Sequence, residues 1–401
     1  MTNRCVSHSS YTMNDGAMFH ESNRDSDLAP QWDELILDSM HPNVFLTWDW
    51  VSIWVKWFAS QKKLRIIQVW DGSQLIGILP LYLCPVELFP GISVEGLKFI
   101  GDGDVVFPDF LGPIIRKGCL DSVLSCLQDV FASDNKDYRF LRLADMDLAS
   151  EGTRCLVDGL SRGIRSETIP GDVCPYIEFS GNYESFLASL NSKRRSSIKS
   201  NDKKAFSNFH VRLECYQTLD KVDEAFELII QIFSKATRGQ DKVKGFLRKD
   251  YAGFHKEVAR AFARKGWLRI YILHYNDIPV AYLYGYVFNK AFWFYQTSYD
   301  LAYKEYTPGA VALQQVIKSL IDEGAEKFDF LRGDEAYKLK ICTGHKQLTT
   351  AYIFRDKSSL YSFYKWGRNM KHFLSSTKKI LMEKTERLLS RPVDGAGSPE
   401  A

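Results

Sequence analysis

Apolar and polar segments follow one another most regularly between residues 278 and 339. The apolar and aromatic runs in this stretch have strand length and strand composition, and apolar residues recur at helical spacing in its middle part. The pattern predicts, in order, a strand over 278–288, a strand over 291–299, a helix over 310–321, a strand over 327–331 and a polar loop over 332–338. We take this stretch as the segment around which the rest of the chain is organised.

The predicted helix begins at Pro308-Gly309, shortly after a strand. The first turn of a helix exposes free N–H groups and the positive end of the helix dipole, and both favour a phosphate group. Glycine at this position allows a ligand to approach the backbone closely. A plain turn before a helix is the other interpretation of the dipeptide alone, and the order of the surrounding elements favours the phosphate site.

The remaining apolar segments predict further strands and helices on both sides of this stretch. They are a helix over 48–58, a hairpin over 64–83, a strand over 97–100, a helix over 120–132, a strand over 138–143, helices over 222–237 and 251–263, and a strand over 267–274. Four aromatic residues of the first helix fall on one face: Trp50, Trp54, Trp57 and Phe58. An aromatic stripe at helical spacing is more typical of core packing than of a ligand platform.

A chain of 401 residues is too long for one ordinary hydrophobic core, so two domains are expected. The 45% hydrophobic and 25% charged residues are typical of a globular protein. A net charge of +3 is too small to indicate that the whole protein binds nucleic acid. The eight cysteines contain no CxxC pair, so we expect reduced thiols, no zinc site and no disulfide framework.

The polar first residues show no signal sequence, and no run of 18 apolar residues indicates a transmembrane helix. We therefore expect a cytoplasmic protein, or one that works at the inner face of the cytoplasmic membrane. Residues 1–28 are rich in Ser, Asn and Asp, which predicts a disordered tail. A second disordered tail is predicted over residues 391–401.

Two acidic clusters follow predicted strands in the N-terminal half. Residues 101–110 form a loop with the carboxylates of Asp102, Asp104 and Asp109, and residues 144–147 hold the second cluster. The loop lacks the glutamate at the twelfth position of a calcium loop, so no metal is predicted. Asp104 and Asp109 are candidates for binding an acceptor substrate, with a solvated acidic loop as the alternative.

Two basic segments are candidates for binding an anion. Residues 193–204 carry six positive charges against one Asp. This segment is either a solvated helix or a site in which Arg194 and Arg195 hold a phosphate-bearing ligand, since guanidinium groups suit phosphate oxygens. Residues 357–390 are predicted as a second basic, amphipathic helix. It either lies on an anionic membrane surface or packs its apolar face on the protein, and we favour the packed arrangement.

The order of these elements and four short motifs carry a resemblance to a known family. The motifs are Phe45-Leu-Thr-Trp-Asp-Trp50, Asp71-Gly72, Tyr306-x-Pro-Gly309 and Phe328-Asp-Phe-x-x-Gly-Asp-Glu-x-Tyr-Lys338. With the basic segment from Lys193, they resemble the acyl-CoA-dependent N-acetyltransferases of the GNAT fold. More narrowly, the chain is similar to the acetyltransferases associated with bacterial cellulose and exopolysaccharide biosynthesis, which are related to the Fem-type aminoacyl-transferases. The resemblance covers roughly residues 40–355.

This resemblance implies an α+β (α/β) fold of two tandem GNAT-like lobes, each with a mixed, mostly antiparallel sheet flanked by helices. The N-terminal lobe would span residues 29–170 and serve as the acceptor side or as a scaffold, because it lacks an obvious glycine-opened helix. The C-terminal lobe would span residues 171–356 and hold the acyl-CoA site. The basic helix and the second tail would follow it.

The resemblance also assigns roles to particular residues. In this fold the strand before the glycine-opened helix separates from its neighbour, and the pantetheine arm of the cofactor pairs with the free edge. Acyl-CoA binding is therefore assigned to Gln296, Thr297, Ser298, Pro308, Gly309, Ala310, Val311 and Lys338. Asp329, Asp334 and Glu335 are alternative general bases, and Tyr337 is the candidate acid for the leaving thiolate. A polar loop that only closes a domain is the alternative for these residues.

The sequence thus predicts transfer of an acyl group, most simply acetyl, from acyl-CoA to an amino group of a saccharide, polysaccharide or cell-envelope precursor. Neither DNA nor a metal is a predicted partner. Direct transfer is favoured because no histidine is visibly paired with Cys342. Two alternatives stay open: a Fem-like transferase that uses aminoacyl-tRNA, and a non-catalytic protein that docks on a membrane or on a polysaccharide synthase.

Overall fold

The computed structural model describes residues 9–14, 28–60, 62–89, 91–103, 105–133, 137–238, 245–355 and 360–369. The strands of this part of the chain are β1 (Ser9–Asn14), β2 (Lys63–Asp71), β3 (Gln74–Phe89), β4 (Ile92–Phe99), β5 (Ile114–Ile115), β6 (Phe140–Asp147), β7 (Arg165–Glu178), β8 (Val211–Tyr216), β9 (Leu268–Tyr275), β10 (Ile278–Phe288), β11 (Ala291–Tyr299), β12 (Lys327–Asp329) and β13 (Gly344–Phe354). The helices are α1 (Leu28–Leu37), α2 (Trp48–Phe58), α3 (Leu120–Ser133), α4 (Glu151–Ser161), α5 (Tyr183–Ser189), α6 (Ser192–Asn208), α7 (Val222–Ala236), α8 (Lys249–Arg264), α9 (Pro308–Asp322), α10 (Ala336–Leu339) and α11 (360–369).

The strands join into one continuous sheet in the order β1-β2-β3-β4-β6-β13-β7-β12-β11-β10-β9-β8, with β5 paired to β3 beside it. Most neighbours are antiparallel. Two pairs are parallel, β4 with β6 and β11 with β12, and in each case a helix lies between the two strands in the chain. Parallel neighbours need such a crossover. The mixed sheet, with the same arrangement in each half, confirms the predicted fold of two tandem lobes.

The last strand of the chain joins the two lobes. β13 pairs antiparallel with β6 over Leu348–Phe354, and on its other side with most of β7. β7 also pairs with β12. The domain boundary predicted between residues 170 and 171 therefore falls inside β7, and the sheet runs through it without a break.

The aromatic stripe of α2 lies in the core between the lobes. Trp50 and Trp54 are each 1% exposed, whereas Trp57 is 38% exposed. The rings of Trp50 and of Phe254 in α8 have centroids 5.1 Å apart. Burial of an aromatic side chain contributes roughly 1.5–3 kcal/mol, so α2 helps to hold the N-terminal lobe against the C-terminal one. Core packing is confirmed for Trp50 and Trp54 and is wrong for Trp57.

A second apolar cluster lies on the other face of the C-terminal lobe, beneath α5, α6 and α9. Successive residues of β10 alternate between the two clusters, as the period of a strand requires: Tyr282 belongs to the first and Leu283 to the second. In α6, the buried residues are Ile198 and Ala205. Most of the basic side chains of this helix are therefore at the surface.

Two of the predicted terminal segments are described in part. Ser9–Asn14 pairs antiparallel with β2, which differs from the disordered tail predicted for residues 1–28, and α1 begins at Leu28. Residues 1–8, 15–27 and 370–401 lie outside the described part of the chain, and with them most of the predicted basic helix. In α11, Tyr364 is 6% exposed and packs on Phe354. No helix of the described residues is long and apolar enough to span a bilayer.

Candidate functional site

A wedge opens in the sheet of the C-terminal lobe between β11 and β12. The two strands pair only from Ala291 to Trp293, and β11 continues to Tyr299 after β12 has ended. Beyond β12 the chain turns toward β7, because the Phe330 amide donates to the Pro175 carbonyl at 2.9 Å. Among the described strands, none pairs with this edge of the second half of β11, as predicted.

A β-bulge shapes β11 where the wedge begins. Tyr284 of β10 lies opposite Gln296, and Gly285 lies opposite Phe294, so Tyr295 is an extra residue in β11. A Cβ atom at position 285 would collide with the carbonyl oxygen of Trp293 and lie 2.7 Å from the Phe292 ring. Glycine is therefore required at this position for the two strands to approach. Bulges of this kind redirect a strand and are frequent beside active sites.

The start of α9 lies at the open end of the wedge. Thr307 has φ of +48°, and its carbonyl accepts the amides of Ala310 and Val311 at 3.0 and 3.1 Å. Pro308 occupies the first helical position, where its missing N–H is tolerated. The Tyr299 ring packs so closely on Gly309 that a Cβ there would lie 3.3 Å from the ring. Glycine thus allows both the tyrosine and the first free amide of the helix to face one cleft.

That cleft is a cavity of about 350 Å³, which we name the α9 cleft. It is lined by Arg194, Leu283, Phe294, Thr297, Tyr299, Lys304, Thr307, Gly309, Ala310, Leu313 and Tyr337. Most of these side chains are apolar, and the two cations, Arg194 and Lys304, come from α6 and from the turn before α9. Burial lowers the pKa of Arg194. The arrangement can hold a long, mainly apolar arm with an anionic group at the helix end.

A second cavity of about 280 Å³, the interlobe chamber, adjoins the α9 cleft. The two cavities have Phe294, Thr297 and Tyr337 in common. The chamber is also lined by Phe107, Asp109, Tyr251, Tyr295, Gln296, Phe330, Leu331, Arg332, Glu335 and Lys338. Because Phe107 and Asp109 belong to the N-terminal lobe, the chamber requires both lobes.

Arg332 is the central charge of the chamber. Its Nε atom donates to Asp109 at 2.5 Å, its backbone amide donates to the same carboxylate at 2.8 Å, and a terminal nitrogen lies 3.1 Å from Asp145. Arg332 and Asp109 are 223 positions apart in the chain. One guanidinium thus joins a loop of the C-terminal lobe to two carboxylates of the N-terminal lobe.

The Asp109 carboxyl is almost completely buried, with 1% of the residue exposed. Burial raises its pKa from an ordinary value of 3.8 to about 7, although Arg332 acts in the opposite direction. Burial also raises the pKa of Asp145. A carboxyl that titrates near neutral pH is suited to accept a proton from a substrate.

Three residues of this cluster have left-handed backbone conformations that are rare outside glycine. Phe110 has φ of +58°, Asp145 of +57° and Leu331 of +55°. Each such conformation costs on the order of 1–3 kcal/mol and persists only where the surroundings fix it. The contacts of Arg332 with both lobes supply that constraint. Strain concentrated in this way is a feature of binding and catalytic sites.

The structure brings some of the predicted catalytic residues to these cavities. Tyr337 lines both, and burial raises the pKa of its hydroxyl. Glu335 lines the chamber and is paired with Lys338 at 2.8 Å. Asp334 is exposed and is not among the lining residues. Asp329 lies outside both cavities, because Lys327 at 2.8 Å and the Leu331 amide at 3.0 Å hold its carboxylate elsewhere.

The residues predicted to bind acyl-CoA also fall into two groups, those that line the cavities and those that do not. Gln296, Thr297, Gly309, Ala310 and Lys338 line the cleft or the chamber. The others do not: Ser298 pairs with β10, and Pro308 and Val311 are buried. Lys338 is 4% exposed, and its ammonium donates to the Arg332 carbonyl at 2.8 Å. It therefore positions the chamber loop in addition to lining the cavity.

Of the predicted anion and acceptor sites, Arg194 and Asp109 line the cavities. Arg195 does not, because its guanidinium donates to the Leu190 carbonyl and, at 3.2 Å, to that of Ala188, where it caps α5. Asp104 lies outside the described residues.

Several residues that line this site were not predicted from the sequence, among them Tyr251, Tyr295, Lys304 and Arg332. Arg332 lies inside the loop motif but was treated as a variable position, although an arginine directly after a strand could have been matched with the two acidic clusters. The tyrosines carry no comparable signal, since apolar and aromatic runs fill the neighbouring strands as well.

β4 and β6, the parallel pair of the N-terminal lobe, are arranged differently from β11 and β12. The Arg142 guanidinium of β6 is paired with Asp102, which follows β4. The Tyr82 hydroxyl donates to the Asp102 carbonyl at 2.5 Å. These contacts tie β6 to the chain that leaves β4, at the place where β12 and β11 separate in the other lobe. Among the described residues, no group of three or more His, Cys, Asp or Glu side chains could hold a metal ion.

Comparisons with known proteins agree with this geometry. Residues 192–339, from α6 to α10, match the family model described as an acetyltransferase (GNAT) domain. No curated protein sequence matches the chain. Among solved structures, the chain is similar to FemX, with a TM-score of 0.56 and 10% identity over 81% of this chain and 96% of that one.

Two further structures have a similar fold. One is the C-terminal domain of a candidate lysylphosphatidylglycerol synthetase from Agrobacterium fabrum, with a TM-score of 0.52 and 8% identity over 84% of this chain and 93% of that one. The other is a protein of unknown function from Bacteroides thetaiotaomicron, with a TM-score of 0.50 and 12% identity over 82% and 97% of the two chains. At these identities the likeness shows the shared fold.

Proposed function

We propose that this chain is an acyltransferase that binds acyl-CoA in the α9 cleft and transfers the acyl group directly to an amino group of a saccharide or cell-envelope precursor. The observation that carries the proposal is that two cavities are neighbours. The α9 cleft lies at a helix N-terminus, and it shares Phe294, Thr297 and Tyr337 with a chamber in which burial raises the pKa of the Asp109 carboxyl to about 7.

The α9 cleft suits the chemistry of the donor. A pyrophosphate would lie at the Gly309 amide, with Arg194 and Lys304 as counter-charges, because the Ala310 amide already donates to the Thr307 carbonyl. The pantetheine arm, which has alternating apolar and amide groups, would run along the free edge of β11 between Leu283 and the wedge. The thioester would then reach the chamber near the bulge at Tyr295.

The chamber supplies the groups that acyl transfer needs. The amine nitrogen attacks the thioester carbonyl carbon and forms an amide bond, and its proton goes to the Asp109 carboxylate. The carbon–sulfur bond breaks, and the Tyr337 hydroxyl gives its proton to the thiolate. This hydroxyl is protonated at neutral pH, and its place in the lining of both cavities is what suits it to act as the acid. Arg332 holds Asp109 in place.

Gly309→Trp is expected to abolish CoA binding, because the indole would fill the α9 cleft at the helix end. Isothermal titration of the full chain with CoA measures the effect. Lys318→Trp is the matched control: it adds the same side chain at an exposed position of the same helix and should bind CoA like the unaltered protein. Absence of CoA binding by the unaltered protein would remove the proposal.

Acyl transfer is expected to accelerate as the pH rises through about 7 and to level off above it. Asp109 accepts a proton only when it is ionised, and its pKa of about 7 sets this limb. The initial rate of thiol release from acetyl-CoA, with glucosamine as the acceptor, gives the profile. Asp109→Asn should be slow, and its rate should not rise with pH. Asp334→Asn changes an exposed site and should retain both the normal rate and the rise with pH. A limb that persists in Asp109→Asn would assign the base elsewhere.

The similarity to FemX supports a second candidate, an aminoacyl-tRNA as the donor. α6, whose Arg194 lines the α9 cleft, carries exposed lysines that could contact a nucleic-acid donor. Titration with CoA and with charged tRNA separates the two donors.

A third candidate is a non-catalytic protein that docks on a membrane, at the inner face, or on a polysaccharide synthase. Liposome flotation with and without residues 358–401 tests it, and it requires that neither donor binds.

A further inference from the structure

A third cavity lies where the lobes meet, at the end of β11 remote from α9. We name it the boundary pocket; its volume is about 310 Å³. Its walls come from the segment before α2, the loop after Asp109, the start of α4, the β10–β11 turn, β12 and β13. Among the described residues, none that lines this pocket also lines the α9 cleft or the interlobe chamber. The acyl-transfer proposal therefore makes no use of it.

Three ion pairs surround the boundary pocket. They are Lys290–Glu326 at 2.6 Å, Lys327–Asp329 at 2.8 Å and Lys346–Asp147 at 2.7 Å. Each lysine in the lining has a carboxylate partner, so the three pairs add no net charge to the pocket. An anion or a cation bound here would lie next to a charge of its own sign as well as one of the opposite sign, so the pocket gives neither a net attraction.

Two of the three carboxylates are nearly inaccessible to solvent. Asp329 is 1% exposed and Asp147 is 6% exposed. Their lysine partners are more accessible, since 25% of the Lys327 side chain and 33% of the Lys346 side chain are exposed. Each pair keeps further hydrogen-bonding capacity, since an ammonium has three donors and a carboxylate about four acceptor sites. The pocket therefore offers donors and acceptors side by side.

Aromatic rings fix two of the ammonium groups. Lys346 lies 5.1 Å from the centre of the Phe110 ring, and Lys327 lies 4.4 Å from that of Tyr176. Phe110 and Trp293 also line the pocket, with centroids 6.1 Å apart. The polar groups are thus held in position next to apolar carbon surface, which is how small-ligand sites are built.

We infer that the boundary pocket binds a neutral, hydroxyl-rich ligand of the size of one sugar ring. Hydroxyl groups both donate and accept hydrogen bonds. They can therefore bond to the remaining donors and acceptors of the three ion pairs without breaking the pairs. The C–H face of such a ring is apolar and would pack on the rings of Phe110 and Trp293. The hydroxyls of Ser150 and Thr153, 3.3 Å apart at the start of α4, add two further partners. This site is independent of the donor and would remain if no CoA were bound.

Saturation-transfer NMR of the full chain with the methyl glycosides of glucose, galactose and mannose tests the inference. At least one neutral glycoside should bind, and about fivefold or more tightly than glucuronate or glucosamine, because each charged analogue places its charge next to a like charge of an ion pair. Glycine, a zwitterion, should not displace it. No binding by any neutral glycoside, equal binding of a charged analogue, or displacement by glycine would each overturn the inference.

Variants locate the binding site. Lys346→Met leaves Asp147 without its partner. The affinity for the neutral glycoside should therefore fall by about tenfold, and glucosamine should become the preferred ligand. Lys340→Met removes an exposed lysine outside the pocket and should change nothing. Lys290→Met, at the exposed rim, should weaken binding by about threefold and keeps the test valid if Lys346→Met folds poorly. Unchanged affinity in both pocket variants would place the glycoside elsewhere.

Discussion

Arg332→Met should destabilise the protein by about 3–5 kcal/mol, the range for removing one partner of a buried ion pair. The substitution keeps most of the side-chain length but removes the guanidinium from Asp109 and Asp145. Asp109, which is 1% exposed, would lose the positive charge of Arg332, which opposes the rise of its pKa on burial. Urea unfolding followed by tryptophan fluorescence measures the loss, and acyl transfer should fall with it.

The loss should depend on pH in a defined direction. The pKa of Asp109 is already raised in the folded state, so this group favours folding when protonated and its contribution declines as the pH rises toward about 7. Without Arg332 that pKa rises further, so the penalty should continue to grow above neutral pH. The difference between the variant and the unaltered protein should therefore be larger at about pH 8 than at about pH 6.

Two variants control this experiment. Arg212→Met removes an arginine whose pair with Glu214 is largely solvated, so it should cost at most about 1 kcal/mol. Arg332→Met with Asp109→Asn removes both charges of the buried pair and should recover part of the lost stability. If Arg332→Met were no worse than Arg212→Met, the two lobes would not be held together through this guanidinium.

Gly285→Ala should destabilise the protein by about 3 kcal/mol or more, the upper part of the range for overpacking. The added methyl group would meet the carbonyl of Trp293, which belongs to the backbone of the paired strand and cannot rotate away. β10 and β11 would have to separate at the bulge. Because β11 forms one side of the wedge, the affinity for CoA should also fall by at least about tenfold.

Gly171→Ala is the matched control for this change. It adds the same methyl group to β7, where the nearest atoms are 3.5 Å away and the contact is an ordinary one. Its free energy of unfolding should stay within about 1 kcal/mol of the unaltered value. Equal stability of the two glycine variants would mean that β10 and β11 do not approach as closely as described.

The elements of the C-terminal lobe could be predicted from the sequence because local signals coincide there. The strands predicted over 278–288 and 291–299 are β10 and β11, and the helix predicted over 310–321 lies within α9. Aromatic strand composition, a two-residue turn and a proline at the first helical position all agree. The separation of β11 from β12 is different, because the resemblance to the GNAT fold implied it and these local signals did not.

The electrostatics of the site could not be predicted in the same way. Arg332 and Asp109 meet across 223 positions, and no local pattern specifies which carboxylate faces an arginine so distant in sequence. Asp329 shows the reverse case. It is one of the three predicted bases and is buried, but Lys327, two residues earlier, pairs with its carboxylate in another pocket. Side-chain direction in a three-residue strand depends on its neighbours, which the sequence alone does not give.

The position of β13 has a consequence for synthesis of the protein on the ribosome. β6 and β7 are made early, but the strand that belongs between them comes more than 160 residues after β7. Until residues 344–354 leave the exit tunnel, both strands keep an open hydrogen-bonding edge, and such edges pair readily with other chains. Neither lobe can therefore complete its part of the sheet before β13 has been made. We expect a chaperone to cover the unpaired edges of β6 and β7 during translation.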